Sequence, residues 1–182
     1  MVGGLDGLLR CFSLPSDLAE PIVIEKPDRI IQEHYDNITA LRYASSAANP
    51  TADPSKTEPD LLLSSSWDYT ARSFRRDFKG KWHRCHLLKG HESAVWGVEI
   101  VKSDLDAEQY LTASADLFVR FYRGEELEVV WSGHSDVVRD VRLLPNLAWM
   151  TQRDPAIGAG PLFAASSCVF ASSRSFGMSV NI

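Results

Sequence analysis

Apolar residues along this chain come in short runs. Leu61-Leu62-Leu63, Val98-Glu99-Ile100-Val101 and Val119-Arg120-Phe121-Tyr122 are rich in branched or aromatic side chains, with small and turn-forming residues between them. None keeps a 3.6-residue period over ten positions or more. The pattern therefore predicts short strands at even spacing and an all-β chain.

The runs recur. LLKGHESAVWGVEIV (residues 87–101) is echoed by VWSGHSDVVRDVRLL (130–144), and the pairs Gly90-His91 and Gly133-His134 lie 43 residues apart. A weaker copy is IIQEHYDNITALRYA (30–44), where His34 stands without a glycine before it. A second element interleaves with the first: SSSWDYTARSF (64–74), TASADLFVRFY (112–122) and a degenerate GGLDGLLRCF (3–12). In each of these an Asp is followed six residues later by an aromatic: Asp68 by Phe74, Asp116 by Tyr122, Asp6 by Phe12. Ser66 and Ser114 stand two before the Asp in the first two.

A period of about 40–45 residues marks the four-stranded blades of WD40 propellers. The chain is thus expected to be a WD40 β-propeller fragment of about three blades plus part of a fourth, not closed. Residues 1–145 form the partial propeller, and residues 44–60, rich in Ala, Ser, Asn, Pro and Asp, are a loop insertion. Residues 146–182 lose the repeat and read as an irregular tail rich in Ser and Ala.

The recurring polar residues have a structural role in this reading. The Gly before His permits an unusual backbone angle. His34, His91 and His134 are placed to reach the Asp in the turn between the second and third strands (Asp68, Asp116). The serine before that Asp (Ser66, Ser114) relays the bond, and the aromatic (Phe74, Tyr122) closes the network. A buried network of this sort specifies register, because each member needs its partner.

Composition adds exclusions. The 182 residues are 45% hydrophobic and 24% charged, with a net charge of −5, as in ordinary globular proteins. The basic run Arg72, Arg75, Arg76, Lys79, Lys81, Arg84 is interrupted by Asp77 and reads as a solvated loop or hairpin, so no nucleic-acid partner is expected. The apolar stretch 157–170 is too short and interrupted to span a bilayer, so no membrane is expected. Three well-separated cysteines, Cys11, Cys85 and Cys168, make no disulfide framework and suit a reducing compartment, cytoplasm or nucleus. His83, Cys85 and His86 crowd together, but adjacent strand residues face opposite ways and no fourth ligand has suitable spacing, so no metal is expected. There is no G-x-S-x-G elbow and no Gly-rich phosphate loop. No enzyme activity and no cofactor are expected.

The strings SSSWDYTARSF, LLKGHESAVWGVEIV, YLTASADLFVRFY and SGHSDVVRDVRLLP resemble consecutive blades of the phospholipase A-2-activating protein family, the ubiquitin-homeostasis WD-repeat adaptors. The resemblance covers roughly residues 2–145. It implies an adaptor that binds ubiquitin through one propeller face and serves ubiquitin-dependent protein catabolism by the proteasome. Family members reach a hexameric AAA ATPase segregase only through further domains that this chain does not contain. The family's propeller has seven blades, so a fragment or truncated gene model is expected here.

Partner contacts in propellers cluster where the first strand of each blade begins and where the second-to-third turn emerges. Loops held by a rigid scaffold are where binding residues concentrate. The candidates are Trp67, Trp96, Ala115, Asp136 and Arg139, since Trp and Arg are the preferred anchor types. The structural alternatives are that Trp96 packs between blades and that Trp67 covers a turn. A generic protein-interaction scaffold and a chain with no independent function stand beside the ubiquitin reading.

Overall fold

Side chains alternate between the two faces of a strand, so a run such as Leu61-Leu62-Leu63 can be apolar throughout only if both faces are covered. The computed structural model, which describes residues 1–13, 23–45, 60–102, 108–145 and 167–173, shows how this is done. The described strands form four antiparallel sheets in chain order. The first holds β1 (Val2–Gly3), β2 (Leu8–Cys11) and β3 (Arg29–Gln32). The second holds β4 (Ile38–Ala44), β5 (Leu61–Ser66), β6 (Ala71–Arg76) and β7 (Trp82–Leu88). The third repeats that plan with β8 (Val95–Lys102), β9 (Gln109–Ser114), β10 (Val119–Arg123) and β11 (Glu126–Trp131). The fourth is the pair β12 (Val138–Pro145) and β13 (Ser167–Ser173).

The core lies between the sheets. Leu9, Ile38, Leu62 and Phe74 form one buried cluster. Leu61, Leu63, Leu88, Val95, Val98, Tyr110 and Tyr122 belong to a second. Leu111, Ala113, Val119, Phe121, Val138 and Val141 make a third. Neighbours on one strand therefore serve different clusters: Leu62 faces the first, Leu61 and Leu63 the second. The same division separates Tyr110 from Leu111 and Phe121 from Tyr122. Burying both faces removes several large side chains per strand from water, at about 1.5–3 kcal/mol each.

The leading strands of the later sheets stack in series, β4 on β8 and β8 on β12, with β1 against β4. Close approach here needs glycine. A Cβ on Gly97 would lie 2.8 Å from the Asp140 Cα, and one on Gly3 would run into the Ile38 side chain. Among the described residues the architecture is all-β and unclosed.

Three expectations need correcting or placing. Arg72 and Arg75, read as part of a solvated run, are buried on β6, because both faces of that strand are covered and each guanidinium has a carboxylate within reach. Of the insertion expected over residues 44–60, Ala44 ends β4 and residues 46–59 lie outside the described residues. Most of the tail 146–182 lies outside them too; its described part, Ser167–Ser173, is a strand paired with β12, which the expectation of an irregular tail did not include.

Candidate partner-binding face

The turn between the second and third strands of each sheet is built around its aspartate. In the second sheet His34 Nδ1–H donates to Asp68 Oδ2 (2.8 Å) and the Tyr35 N–H adds a second bond (3.1 Å). Asp68 Oδ1 accepts the Thr70 N–H at 3.1 Å and the Thr70 hydroxyl at 2.6 Å. In the third sheet His91 Nδ1–H donates to Asp116 Oδ2 (2.8 Å), Glu92 N–H follows at 3.2 Å, and Phe118 N–H reaches Oδ1 at 3.1 Å. The two sites repeat nearly atom for atom.

The relay differs from the expectation. His34 Nε2 meets Ser64 Oγ (2.8 Å) and His91 Nε2 meets Thr112 Oγ1 (2.6 Å), residues four before each Asp. Ser66 and Ser114 instead brace the turn. Their hydroxyls accept the N–H of Asp68 and Asp116 and donate back to the Asp36 and Ala94 carbonyls. Ser64 and Ser66 share a face, but only Ser64 is level with the imidazole. Of the two aromatics, Phe74 departs from the expectation, whereas Tyr122 joins the network, its hydroxyl beside that of Thr112. Phe74 has no polar atom and packs in the core, whereas the Tyr122 hydroxyl donates to the Lys89 carbonyl (2.8 Å). Burial pushes that hydroxyl up to about 12. His134 has no hydrogen-bond partner among the described residues; the turn aspartate expected to face it would fall in the tail.

A cation completes each turn. Arg72 Nη2 lies 3.5 Å from Asp68 Oδ2, and Arg120 Nη1 lies 2.5 Å from Asp116 Oδ2. The first sheet repeats the pair in exposed form, Arg10 to Asp6 at 2.5 Å. These arginines were missed, yet their signal is in the sequence: an Arg stands four after the Asp in all three copies. Burial alone would raise the Asp68 and Asp116 carboxyls. Hydrogen bonds from His34 and Thr70 to Asp68, and from His91 and Arg120 to Asp116, outweigh it and hold both well below the usual carboxylate range. His91 is shifted down, chiefly by burial, against the pull of Asp116.

The residue after each Asp is left-handed: Gly7 (φ 72°), Tyr69 (φ 68°) and Leu117 (φ 75°). Only the glycine takes that angle without strain. Tyr69 and Leu117 are thus held outward at the turn tips, 51% and 37% exposed.

A second device acts where each leading strand begins. Pairing with the next strand skips one residue between Ile38 and Ala40, between Val95 and Gly97, and between Val138 and Asp140. The skipped residues, Thr39, Trp96 and Arg139, sit at β-bulges, which re-aim a side chain. Thr39 is tied down, its hydroxyl donating to the Val95 carbonyl at 2.5 Å. The other two come together with Trp67. The Trp67 and Trp96 rings meet edge-on with centroids 5.6 Å apart, and the Arg139 guanidinium lies 4.7 Å above the Trp96 ring. Trp67 remains 40% exposed. Among the described residues no acceptor reaches Arg139 Nε.

Three of the five candidate residues, from three successive sheets, therefore form one stack. The other two do not join it: Ala115 is held by its N–H to the Ala94 carbonyl (2.9 Å), and the Asp136 carboxylate caps the Val137 N–H (2.7 Å). His83 and His86 point to different partners, Asp77 (2.8 Å) and Ser73 (3.2 Å). Among the described residues no group of three His, Cys, Asp or Glu side chains could hold a metal ion.

The same arrangement of sheets is found in solved structures. The WD40 β-propeller domain of Doa1 superposes with a TM-score of 0.58 at 20% identity, over 98% of this chain and 48% of that one. This chain has the WD40 propeller fold. The computationally designed protein Ika4 matches with a TM-score of 0.52 at 16% identity, over 80% of this chain and 66% of its own. No family model matches the sequence. Two curated proteins share part of it, both named "Probable cytosolic iron-sulfur protein assembly protein 1". The Neurospora crassa protein is 35% identical over 72 residues, 38% of this chain and 15% of the relative. The Pyricularia oryzae protein is 44% identical over 50 residues, 28% and 11%. The chain thus spans about half the Doa1 domain and matches a small part of either curated relative.

Proposed function

We propose that this chain is a non-enzymatic adaptor that binds ubiquitin, or a ubiquitinated protein, through the turn-and-bulge face. The observation that carries a binding role is the Trp67–Trp96–Arg139 stack across three sheets, part exposed and flanked by the outward Tyr69 and Leu117. Aromatic and arginine anchors on a rigid scaffold are what protein-binding hot spots are made of. Ubiquitin as the partner, and a place in ubiquitin homeostasis, rest on the blade strings that resemble the phospholipase A-2-activating protein family. The names of the curated relatives favour the cytosol; nothing in them speaks for the nucleus.

The test is a titration of isotope-labelled ubiquitin with the chain, read by NMR. The expected result is localised shifts that Trp67→Ala weakens by tenfold or more while the far-UV circular dichroism is unchanged. Unchanged affinity in the folded variant would remove Trp67 from the site. A folded chain that leaves ubiquitin untouched sinks the ubiquitin reading. The second reading, favoured by the two curated relatives, is that the same face docks a protein of cytosolic iron–sulfur assembly.

A further inference from the structure

A cavity of about 540 Å³ opens between the first and second sheets, away from the turn-and-bulge face. Its walls include Tyr43, Leu62 and Trp82, and its polar lining includes Cys11, Arg29 and Arg76. The volume lies within the range of small-ligand sites, which combine apolar walls with a few convergent polar groups.

The cations are arranged in an unusual way. The Nη2 atoms of Arg29, from β3, and Arg76, from β6, both come within 4 Å of the point a Cβ on Gly80 would occupy. Gly80 takes a left-handed turn (φ 75°), and its missing side chain leaves that space open. Two guanidinium groups thus converge on one place from neighbouring sheets. Among the described residues no carboxylate is paired with both. Among the described residues Arg29 has no ion pair, and Arg76 has only a long contact of 3.7 Å to Asp60 from its other nitrogen. Asp28, the carboxylate of the lining, accepts the Ser13 N–H at 2.5 Å. Arg42, also in the lining, is engaged elsewhere by Glu99 and Asp140.

We infer that this cavity binds an oxyanion carried next to an aromatic ring on a peptide, the anion lying between Arg29 and Arg76 and the ring against Trp82 and Tyr43. Paired arginines are the usual device for carboxylate and phosphate, and planar guanidinium groups match their oxygens. The chemistry fits either a phosphotyrosine side chain or the free carboxylate of a C-terminal aromatic residue. The site is independent of the ubiquitin reading and shares no residue with the Trp67 stack.

The experiment is calorimetric titration of the chain with four probes. They are N-acetyl-phosphotyrosine amide, N-acetyl-phenylalanine with its carboxylate free, inorganic phosphate, and the neutral N-acetyl-tyrosine amide. At least one of the first two should bind tenfold or more tightly than either of the last two, and the tighter one identifies the source of the anion. The double variant Arg29→Gln, Arg76→Gln should lose that binding by tenfold or more. Both side chains are well exposed, so the fold is retained, as circular dichroism would verify, and Trp67→Ala should leave probe binding unchanged. The inference is overturned if the neutral probe or bare phosphate binds as well as the aromatic anions, or if the double variant keeps its affinity.

Discussion

Asp116 shows how much one side chain can carry. It is 6% exposed, and it neutralises Arg120 while orienting His91. Removing it strands a buried cation, which costs about 3–5 kcal/mol. Asp116→Ala should therefore lower the urea midpoint sharply, whereas Asp6→Ala, whose pair with Arg10 is exposed, should leave it close to that of the parent chain. The same turn sets a pH dependence. His91 is shifted below its ordinary 6.5, so its contribution is full above that pH and drains as the pH falls through its folded value. Asp116 is shifted below 3.8, so its contribution is lost only under stronger acid. The midpoint should fall between pH 7.5 and pH 5, with a smaller fall in His91→Gln; a flat profile would refute the role given to His91. The offset from Asp to aromatic is a feature of the chain itself; of the three histidines expected to meet a turn aspartate, His34 and His91 do so among the described residues and His134 does not. The relay through Ser64 and Thr112 was not legible there, because residues two apart on a strand share a face and only their position along it relative to the histidine tells them apart.

At the scale of the element, the bulge and the glycine act together. Trp96 is re-aimed by skipping a pairing position, and the next residue, Gly97, lets β8 approach β12. A Cβ there would meet backbone, which cannot swing aside. Gly97→Ala is expected to cost about 1–3 kcal/mol by overpacking, read as a lower thermal midpoint; an unchanged midpoint would mean that β12 can shift. The strands themselves were readable from short branched runs, and Leu61, Val98 and Val119 fall in β5, β8 and β10 as expected. Bulges were not readable. A skipped residue changes neither composition nor alternation enough to mark it, and only the register of the partner strand exposes it.

Across the whole molecule the sheets are joined by buried charge as well as by apolar packing. Glu108, ahead of β9, receives Arg75 from β6 and the hydroxyl of Tyr110, with His86 of β7 at 2.8 Å. It links the second sheet to the third. Arg75→Met alone should destabilise by about 3–5 kcal/mol, because it strips a buried carboxylate of its cation, while Arg75→Met with Glu108→Leu should cost less than the two changes added together. Additive losses in a double-mutant cycle would show that the two do not act as a pair. The basic run containing Arg75 looked solvated, since charge along a chain carries no depth.

Periodicity, turn residues and the spacing of Gly-His and Asp were enough to establish an all-β propeller fragment and to set Trp67, Trp96 and Arg139, together with Ala115 and Asp136, as candidate contact residues. These are local or repeating features, and a repeat must satisfy the same backbone needs in each copy. The meeting of those three residues in one stack came from packing between sheets. So did the burial of Arg72, Arg75 and Glu108, and the convergence of Arg29 with Arg76 beside Gly80. Each joins residues from different sheets, and their distance apart depends on how the sheets lie against one another, for which the order of residues along the chain holds no local signal.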